Sequence, residues 1–271
     1  MAGLDTHIHS TASDGSLSPT RLVELAKEQG LLGLALTDHD TVSGNREAAA
    51  KAAQLDIAFI PGIEFSTELE ERDIHILGYW LDEEKLLGTG RLQRLHDARY
   101  TRAAEIVRKL GQLGMELDLE RILSSVDAES SLGRPHIAQA MISAGYVANI
   151  REAFHKWLGR GMPAYVPREK LTPQEAVALV LYCQGVPAIA HPGIGVPDAL
   201  IPQLCREGIG GIEVYIPEYS RAMEQKYLHM ARSLGIAALG GSDFHAPGVR
   251  SLGSRVTTLS QLEVLSRFKK D

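Results

Sequence analysis

The sequence predicts an α/β fold, because short apolar runs alternate along the chain with amphipathic helical segments. Most of these runs lack polar alternation, which is typical of strands buried on both faces of a parallel sheet. The pattern fits either a closed barrel or an open sheet, and the residues alone leave that choice open. The apolar runs are Ala2–Leu4, Leu31–Leu36, Ile57–Ile60, Ile74–Tyr79, Val186–Ala190, Ile209–Val214 and Ile236–Leu239.

Capping signals mark where several helices between these runs begin and end. Ser18 followed by Pro19 is typical of a helix start, and Gly30 is typical of the residue just past a helix end. Thr172 and Glu175 have the spacing of a capping box, in which each side chain binds the backbone amide of the other residue. A further helix is predicted by apolar residues at helical spacing, namely Met223, Tyr227, Met230, Ala231 and Leu234.

The alternation of strands and helices stops in the middle of the chain. Residues 91–165 show only helical patterns. We therefore expect residues 1–90 and 166–271 to form the α/β domain and the middle segment to form a helical insertion. The helical patterns of this segment are an apolar face of Ala103, Ile106, Val107, Leu110 and Leu113, followed by shorter stretches at Ile137–Ser143 and Ile150–Leu158.

The composition indicates a globular protein and limits its partners. The chain has 271 residues and a mass of 29.5 kDa, and its 44% hydrophobic and 23% charged residues exclude wholesale disorder. A net charge of −6 argues against a chain-wide electrostatic grip on long nucleic acids or anionic membranes. Two cysteines, Cys183 and Cys205, are too few for a disulfide framework. No apolar stretch of the sequence has the length of a membrane span. We predict a soluble, cytoplasmic protein without a targeting segment.

Ionisable side chains follow the predicted strands, where a barrel enzyme needs its ligands. His7 and His9 follow the first run, and because they are two residues apart on an extended chain they point to the same side. The ends of successive barrel strands converge on one face. A single histidine such as His75 is more often a hydrogen-bonded core residue, but the joint pattern predicts a metal centre. The groups are Asp5, His7, His9, Asp14, Asp38, His39, Asp40, Glu64, His75, His191, Glu213, Asp243 and His245.

Six ordered motifs resemble those of the PHP (polymerase and histidinol phosphatase) family, which is related to the amidohydrolases. The resemblance covers about residues 1–85 and 166–260. It implies a distorted (β/α)7 barrel, which the helical segment interrupts, and a multinuclear metal centre that often holds three ions. The motifs are Asp5-Thr6-His7-Ile8-His9-Ser10, Thr37-Asp38-His39-Asp40, Gly62-Ile63-Glu64, His75, Ala190-His191-Pro192 and Gly241-Ser242-Asp243-Phe244-His245.

The resemblance also implies which residues bind the ions. Asp14 is the least typical ligand, since many family members have histidine there. Imidazole and carboxylate groups without thiolate suit Mn²⁺, with Zn²⁺ or Fe²⁺ as alternatives, and the number of ligands indicates two or three ions. Asp5, Asp38 and Asp40 are expected to orient ligand histidines, whereas Glu213 is left outside the ligand set with its role open. The ligand groups are His7, His9, Glu64 and Asp243; Glu64, His75 and His191; and Asp14, His39 and His245.

The predicted insertion narrows the resemblance to one branch of the family and supplies candidate substrate-binding residues. Arg134 offers a bidentate fork for phosphate, and His136 adds a hydrogen-bond donor or a proton. Arg102 could face the same pocket, and Arg99, about one helical turn away, is the weaker candidate. Tyr165 is equally open to stacking on a base and to packing. Two segments look like those of stand-alone PHP phosphoesterases, which include 3′,5′-nucleotide bisphosphate phosphatases: Gly133-Arg134-Pro135-His136-Ile137-Ala138 and Pro163-Ala164-Tyr165-Val166-Pro167.

These residues predict metal-dependent hydrolysis of the 3′-phosphate of nucleoside 3′,5′-bisphosphates, such as 3′-phosphoadenosine 5′-phosphate, to the 5′-monophosphate and phosphate. No side-chain nucleophile is required, because a metal-bound hydroxide can attack phosphorus. Relatives in the same branch trim short RNA, so a 5′-to-3′ exoribonuclease acting on short oligonucleotides is an alternative. A histidinol-phosphate-type phosphatase and a non-catalytic metal-binding partner module are further alternatives. The acidic net charge favours a small phosphorylated nucleotide over long nucleic acids, and no membrane partner is expected.

Overall fold

The computed structural model describes residues 3–124, Val126 and residues 130–269. Its centre is a seven-stranded sheet that curls into a nearly closed barrel, with the strands as neighbours in chain order. Each predicted apolar run overlaps one strand, so the α/β barrel is confirmed; Ala2, where the first run begins, lies outside the described residues. The strands are β1 (Leu4–Asp5), β2 (Gly33–Leu36), β3 (Ala58–Leu69), β4 (Arg72–Tyr79), β5 (Val186–Ile189), β6 (Gly211–Tyr215) and β7 (Ala237–Gly240).

The sheet is not wholly parallel, which corrects the prediction from the apolar runs. β4 pairs antiparallel with both β3 and β5, while the other neighbouring strands pair in parallel. β3 is 12 residues long, because its first part pairs with β2 and its remainder forms a hairpin with β4. Glu70 and Glu71 make the hairpin turn with φ angles of 49° and 64°, as a two-residue type I′ turn requires. The run Ile74–Tyr79 is largely buried on both faces, so its lack of alternation gave no sign of strand direction.

Isolated contacts, rather than a full ladder, close the barrel between β1 and β7. Ile8 pairs in parallel with Phe244, and Leu4 pairs antiparallel with Thr257. The Thr257 hydroxyl accepts a hydrogen bond from Gly240 N at 2.8 Å and lies 2.9 Å from Gly240 O. The buried Thr257 hydroxyl therefore binds the N–H and the C=O of Gly240, which would otherwise need hydrogen bonds from a neighbouring strand.

The predicted helix caps are confirmed. Ser18 accepts a hydrogen bond from Arg21 N, and Thr172 and Glu175 close their capping box with bonds of 3.2 and 2.8 Å. Among the described residues, no helix is both long and apolar enough to cross a membrane. The α-helices are α1 (Pro19–Glu28), α2 (Asn45–Leu55), α3 (Glu83–Gly88), α4 (Arg91–Gln112), α5 (Leu119–Leu123), α6 (Arg134–Ser143), α7 (Ile150–Ala153), α8 (Pro173–Tyr182), α9 (Ile201–Glu207), α10 (Arg221–Leu234) and α11 (Leu259–Ser266).

The middle of the chain is helical and has an apolar cluster of its own. Helices α4 to α7 lie here, and α7 continues into a turn of π-helix at Phe154–Leu158. On α4, Ile106 and Leu110 are fully buried, whereas Leu113 is 44% exposed because the helix ends just before it. Further buried members of the cluster are Ala103, Met115, Ile122, Leu132, Ile137, Met141, Val147 and Ala164.

Side chains on the two faces of the strands pack in two different apolar clusters. In β4, Leu77 and Tyr79 pack with residues of the other strands, including Leu239. Ile74 and Ile76 on the opposite face pack in a second cluster that contains side chains of α8, α9 and α10. The strands are thus covered on both faces, as a barrel surrounded by helices requires.

We expect Thr257→Val to lower the free energy of unfolding by about 1–3 kcal/mol, because the buried Gly240 N–H would lose its acceptor. Valine keeps the volume of threonine, so the loss reports on the hydrogen bonds that close the barrel. Urea unfolding followed by circular dichroism measures it. Thr101→Val, at an exposed position of α4, is the matched control and should change stability by less than about 0.5 kcal/mol. Equal stabilities of the two variants would contradict this role of Thr257.

Candidate metal centre

The predicted metal ligands meet at one rim of the barrel. Parallel strands bring their ends to a common edge, and the segments that leave β1, β2, β5 and β7 carry seven of the nine residues there. Short bridges beyond the strands extend three of these segments, those after β1, β2 and β7, toward the rim. The seven residues are His7, His9 and Asp14 after β1, His39 after β2, His191 after β5, and Asp243 and His245 after β7.

Glu64 and His75 reach the rim from within strands, which corrects their expected place at strand ends. In the β3–β4 hairpin, Glu64 lies opposite Leu77 and His75 lies opposite Ser66. β4 runs antiparallel to its neighbours, so its beginning rather than its end lies at the rim where the other strands finish. Glu64 was misplaced because β3 extends to Leu69, beyond the apolar run that predicted it. His75 was misplaced because an apolar run carries no information on strand direction.

The first predicted group forms a compact cage of four ligand atoms. The Nε2 atoms of His7 and His9 are 3.2 Å apart. Glu64 Oε2 lies 3.2 Å from the first and 3.1 Å from the second, and Asp243 Oδ1 lies 3.4 and 3.1 Å from them. Two facing imidazole nitrogens cannot both carry a proton on the line between them, so lone pairs point into the cage and can accept a cation.

The second predicted group forms around the other oxygen of Glu64. Glu64 Oε1 is 2.8 Å from His75 Nδ1 and 3.2 Å from His191 Nε2. His39 also approaches, with its Nδ1 at 3.1 Å from Glu64 Oε2, and ligand atoms of His39, Glu64 and His75 lie within 4.8 Å of one another. The carboxylate of Glu64 therefore lies between the first two groups, in a position to bridge two ions.

The third predicted group is also brought together, and the structure adds His9 to it. Ligand atoms of His9, Asp14, His39 and His245 lie within 4.8 Å of one another. Asp14 Oδ1 is 3.4 Å from His245 Nε2 and 3.9 Å from His9 Nδ1, and Asp14 Oδ2 is 4.0 Å from His39 Nε2. His9 thus faces the first group through Nε2 and the third group through Nδ1.

The carboxylates of this centre stay ionised despite their burial. Burial opposes ionisation of Glu64, but its histidine neighbours outweigh burial and hold its pKa well below the ordinary value. Neighbouring histidines lower the pKa of Asp14 and of Asp243 in the same way.

Burial lowers the pKa of His39 to about 3, which keeps this imidazole in the neutral form that binds metals. The carboxylates in turn outweigh burial, raise the pKa of His7 and His191 and raise that of His9 to about 10, so these rings hold protons beside buried negative charge. Such a cluster can exchange its protons for a divalent cation.

Unpartnered polar atoms also fit the centre to metal ions. Within the described part of the chain, His9 Nδ1, Glu64 Oε2 and His191 Nδ1 are buried without a hydrogen-bond partner. Buried polar atoms are normally satisfied, and for His9 Nδ1 and Glu64 Oε2, which face the candidate ligand groups, a bound ion would supply the missing partner. Imidazole nitrogens and carboxylate oxygens without thiolate are the donor set of divalent transition metals.

Asp5 and Asp38, which were expected to orient ligand histidines, accept hydrogen bonds from backbone and hydroxyl groups of the segments that carry those histidines. Asp5 accepts hydrogen bonds from the amides of Ser242 at 2.9 Å and His7 at 3.4 Å. Asp38 accepts hydrogen bonds from the amide and the hydroxyl of Ser10 at 2.7 and 2.6 Å. Both carboxylates thus fix the loops on which the ligands lie, because they bind the amides of these loops.

Asp40, which was also expected to orient a ligand histidine, is buried between two arginines. Its Oδ2 accepts hydrogen bonds from Arg99 Nε at 3.1 Å and from Arg168 Nη2 at 2.9 Å, and its Oδ1 accepts one from Ser66 N at 2.9 Å. The arginines outweigh burial and hold the pKa of Asp40 well below the ordinary value. Arg99 belongs to α4, so this cluster ties the helical segment to the barrel. Arg99 is accordingly occupied by Asp40 instead of facing a phosphate.

The carboxylate that does contact the histidines is Glu213, whose role the sequence left open. Glu213 Oε1 is 2.9 Å from His7 Nδ1, and Glu213 Oε2 accepts a hydrogen bond from His191 N at 2.7 Å. The signal in the sequence was its place at the end of an apolar run, alongside the candidate ligands. A strand-end position alone does not tell a ligand from a residue that supports one.

Positive charge is concentrated around Tyr165 in the helical segment. The guanidinium groups of Arg102, Arg160 and Arg134 lie 5.6, 5.7 and 6.0 Å from its ring centre. Arg160 is paired with Glu68, whereas the described carboxylates form no ion pair with Arg102 or Arg134, each of which donates to a backbone carbonyl. Burial and neighbouring arginines lower the pKa of Arg102 to about 9, and burial lowers that of Arg134. Such under-compensated charge favours an anionic ligand.

His136 lies at the start of α6 with one ring nitrogen already engaged. Its Nδ1 accepts a hydrogen bond from Gly133 N at 3.0 Å, so the proton of the neutral ring is on Nε2. Burial lowers the pKa of His136, while the charge of Asp14 acts in the opposite direction. The ring therefore offers a donor next to the third ligand group.

Two arginines at the site escaped the sequence analysis. Arg168 bonds Asp40, and burial lowers its pKa to about 10. Arg250 donates to Asp243 O at 2.9 Å, contacts the Asp243 carboxylate as well, and is 2.8 Å from Glu218. Neither arginine has a spacing that links it to its partner, so no local signal could have found it.

Comparison with known proteins gives a consistent result. The PHP domain family model matches residues 5–183. A 3′,5′-nucleoside bisphosphate phosphatase of Chromobacterium violaceum is 35% identical over 92% of this chain and 89% of its own length. A 5′-3′ exoribonuclease of Haemophilus influenzae is 36% identical over 90% of each chain. The solved structure of a chain from Bifidobacterium adolescentis, assigned as a metal-dependent phosphoesterase, superimposes with a TM-score of 0.92 at 27% identity, covering 100% of this chain and 97% of that one.

We expect Asp40→Asn to lower the free energy of unfolding by about 3–5 kcal/mol, because Arg99 and Arg168 would remain buried without a carboxylate. Guanidinium chloride unfolding measures the change. Glu105→Gln, which breaks an exposed pair with Arg108 on α4, is the control and should leave the unfolding midpoint in place. If both variants unfold at the wild-type midpoint, Asp40 does not anchor the helical segment.

Proposed function

Since the chain belongs to the PHP domain family and acts as a metal-dependent phosphoesterase, we propose that its substrates are nucleoside 3′,5′-bisphosphates. Hydrolysis consumes one water and releases the 3′-phosphate, leaving the 5′-monophosphate. The observation that carries this proposal is the ligand cluster around Glu64 together with the arginines Arg102 and Arg134, which have no carboxylate partner among the described residues. A phosphatase from Chromobacterium violaceum that is named for this activity matches nearly the whole chain.

The nine candidate ligands would hold two or three ions in this proposal. When bound, the divalent cations supply positive charge to the phosphoryl oxygens and lower the pKa of water. Mn²⁺ is the proposed metal, with Zn²⁺ and Fe²⁺ as alternatives, because the ligands are imidazoles and carboxylates without thiolate. The proposed groups are His7, His9, Glu64 and Asp243; Glu64, His75 and His191; and Asp14, His39 and His245.

The chain's own residues bind and orient the phosphate. The Arg134 guanidinium keeps donors beyond its single bond to Leu158 O, and these match two phosphoryl oxygens in a bidentate arrangement. His136 donates from Nε2, and Arg102 adds charge close by. In phosphoryl transfer positioning and charge neutralisation do most of the work, so no side-chain nucleophile is needed. The insertion at residues 91–165 would thus complete a substrate pocket on the barrel formed by residues 1–90 and 166–271.

Short RNA is the second candidate substrate, since a 5′-3′ exoribonuclease of Haemophilus influenzae matches the chain at 36% identity. Attack on the phosphodiester uses the same centre, and in both reactions water adds to phosphorus while the 3′-oxygen of a nucleoside 5′-monophosphate leaves. The two differ in the phosphoryl group, which in RNA remains attached to the shortened, 5′-phosphorylated chain. Product analysis on a 5′-phosphorylated RNA trimer distinguishes the two. Stepwise release of mononucleotides at a higher kcat/KM than for the bisphosphate would make the exoribonuclease the main activity.

We expect the Mn²⁺-loaded protein to release phosphate from 3′-phosphoadenosine 5′-phosphate, and His191→Ala to lower this rate by about 100-fold or more through loss of a ligand in the second group. Phosphate release under initial-rate conditions measures both. Adenosine 5′-monophosphate should be the nucleotide product. Inactivity on the bisphosphate, with ready turnover of a sugar or amino-alcohol phosphate, would refute the substrate assignment.

We expect Arg134→Met to lower kcat/KM for the same substrate by about 100-fold, because the bidentate phosphate contact is lost. Arg134→Lys keeps the charge without the fork and should recover only part of the loss. Arg108→Met, at an exposed arginine of the neighbouring helix α4, is the matched control and should retain wild-type kinetics. Identical kinetics of Arg134→Met and Arg108→Met would show that Arg134 does not bind the substrate.

A further inference from the structure

Glu213 contacts two histidines that belong to different candidate ligand groups. It lies on β6 with no exposed surface. Its Oε1 is 2.9 Å from His7 Nδ1, and its Oε2 accepts a hydrogen bond from His191 N at 2.7 Å. His7 belongs to the first group and His191 to the second, so one buried carboxylate connects both.

The contact with His7 determines which of its ring nitrogens carries a proton. An ionised carboxylate only accepts hydrogen bonds, so the His7 Nδ1 that faces Glu213 carries a proton. When the ring is neutral, as a metal ligand has to be, its lone pair is on Nε2, which faces Glu64 and Asp243 at 3.2 and 3.4 Å. This is the arrangement by which a carboxylate prepares an imidazole to bind a metal.

The contact with His191 stabilises an unfavourable backbone conformation. His191 has a φ angle of 24°, which residues other than glycine rarely adopt. Its side chain nevertheless has to reach Glu64, where Nε2 lies 3.2 Å from Oε1. The hydrogen bond from His191 N to Glu213 holds the backbone in this conformation and thereby holds the ring at the second group.

The packing around Glu213 leaves the carboxylate little freedom. A Cβ at Gly241 would lie 2.5 Å from His7 Cβ and 3.0 Å from Glu213 Oε1, so only glycine fits beside this pair. We propose that Glu213 is a positioning residue that sets the tautomer of His7 and the backbone of His191 together, and so prepares two metal groups without binding a metal itself. This inference rests on the metal centre of the proposed function.

Glutamine in place of Glu213 distinguishes the two contacts, because an amide has one acceptor atom. If the amide oxygen accepts the His191 N–H, the NH₂ group donates to His7 Nδ1, and the His7 proton moves to Nε2, where it blocks the first group. In the opposite orientation the NH₂ group faces the His191 N–H, two donors oppose each other, and the second group is disturbed. Glu213→Gln therefore impairs one group, whereas Glu213→Ala removes both contacts and impairs two.

The test is Mn²⁺ binding to metal-free protein, measured by isothermal titration calorimetry without substrate. We expect Glu213→Gln to weaken binding at one class of sites by about 10- to 100-fold and Glu213→Ala to weaken two classes. Glu224→Gln on α10, the same chemical change at an ion pair with Arg255, should match the wild type. His191→Ala serves as the reference for loss of the second group. Wild-type binding by Glu213→Gln would overturn the proposal.

A second measurement on the unaltered chain covers the case in which the variants do not fold. In Zn²⁺-loaded wild-type protein, ¹H–¹⁵N correlation through the imidazole rings should show the His7 proton on Nδ1. A proton on Nε2 would overturn the proposal.

Neither the calorimetric nor the NMR measurement uses a nucleotide, so both test the role of Glu213 separately from the proposed substrate. Wild-type protein that binds Mn²⁺ but leaves the bisphosphate intact would refute the substrate and leave the role of Glu213 standing. Full hydrolysis with unchanged metal binding in Glu213→Gln would refute only the role of Glu213.

Discussion

A buried carboxylate at the barrel rim is the constraint on which this architecture depends. Glu64 has no exposed surface, and an uncompensated charge at that depth would be strongly destabilising. Its compensation comes from five imidazoles that arrive on or after β1, β2, β4 and β5, so these segments have to converge within a few ångströms of one point. A closed barrel provides that convergence. The imidazoles are those of His7, His9, His39, His75 and His191.

The same principle organises the junction between the barrel and the helical segment. Asp40 is buried, and Arg99 and Arg168 compensate it from two sides. The arginines farther out, Arg102 and Arg134, have no carboxylate partner within the described residues. Acidic groups thus lie at the rim, and under-compensated positive charge lies in the helical segment. For this reason a chain with a net charge of −6 can present a local surface suited to an anion.

Much of the candidate site could be predicted because its signals are local. His7 and His9 are two residues apart on extended backbone, and their side chains do point into one cage. The direction of β4 could not be predicted, since a strand buried on both faces has the same composition in either direction. The partners of Asp5, Asp38 and Asp40 were also beyond prediction. A carboxylate at a strand end has several amides, hydroxyls and arginines within reach, and packing selects among them.

By itself the sequence determined where strands and helices form and which residue types would meet, because apolar periodicity, helix caps and ligand chemistry act over a few residues. Only the tertiary structure decided which charges are neutralised and which carboxylate supports the histidines. Glu213 and His7 are 206 residues apart in the chain, and Arg168 and Asp40 are 128 apart. Contacts over such separations exist only once the barrel closes, since folding alone brings these side chains within hydrogen-bonding distance.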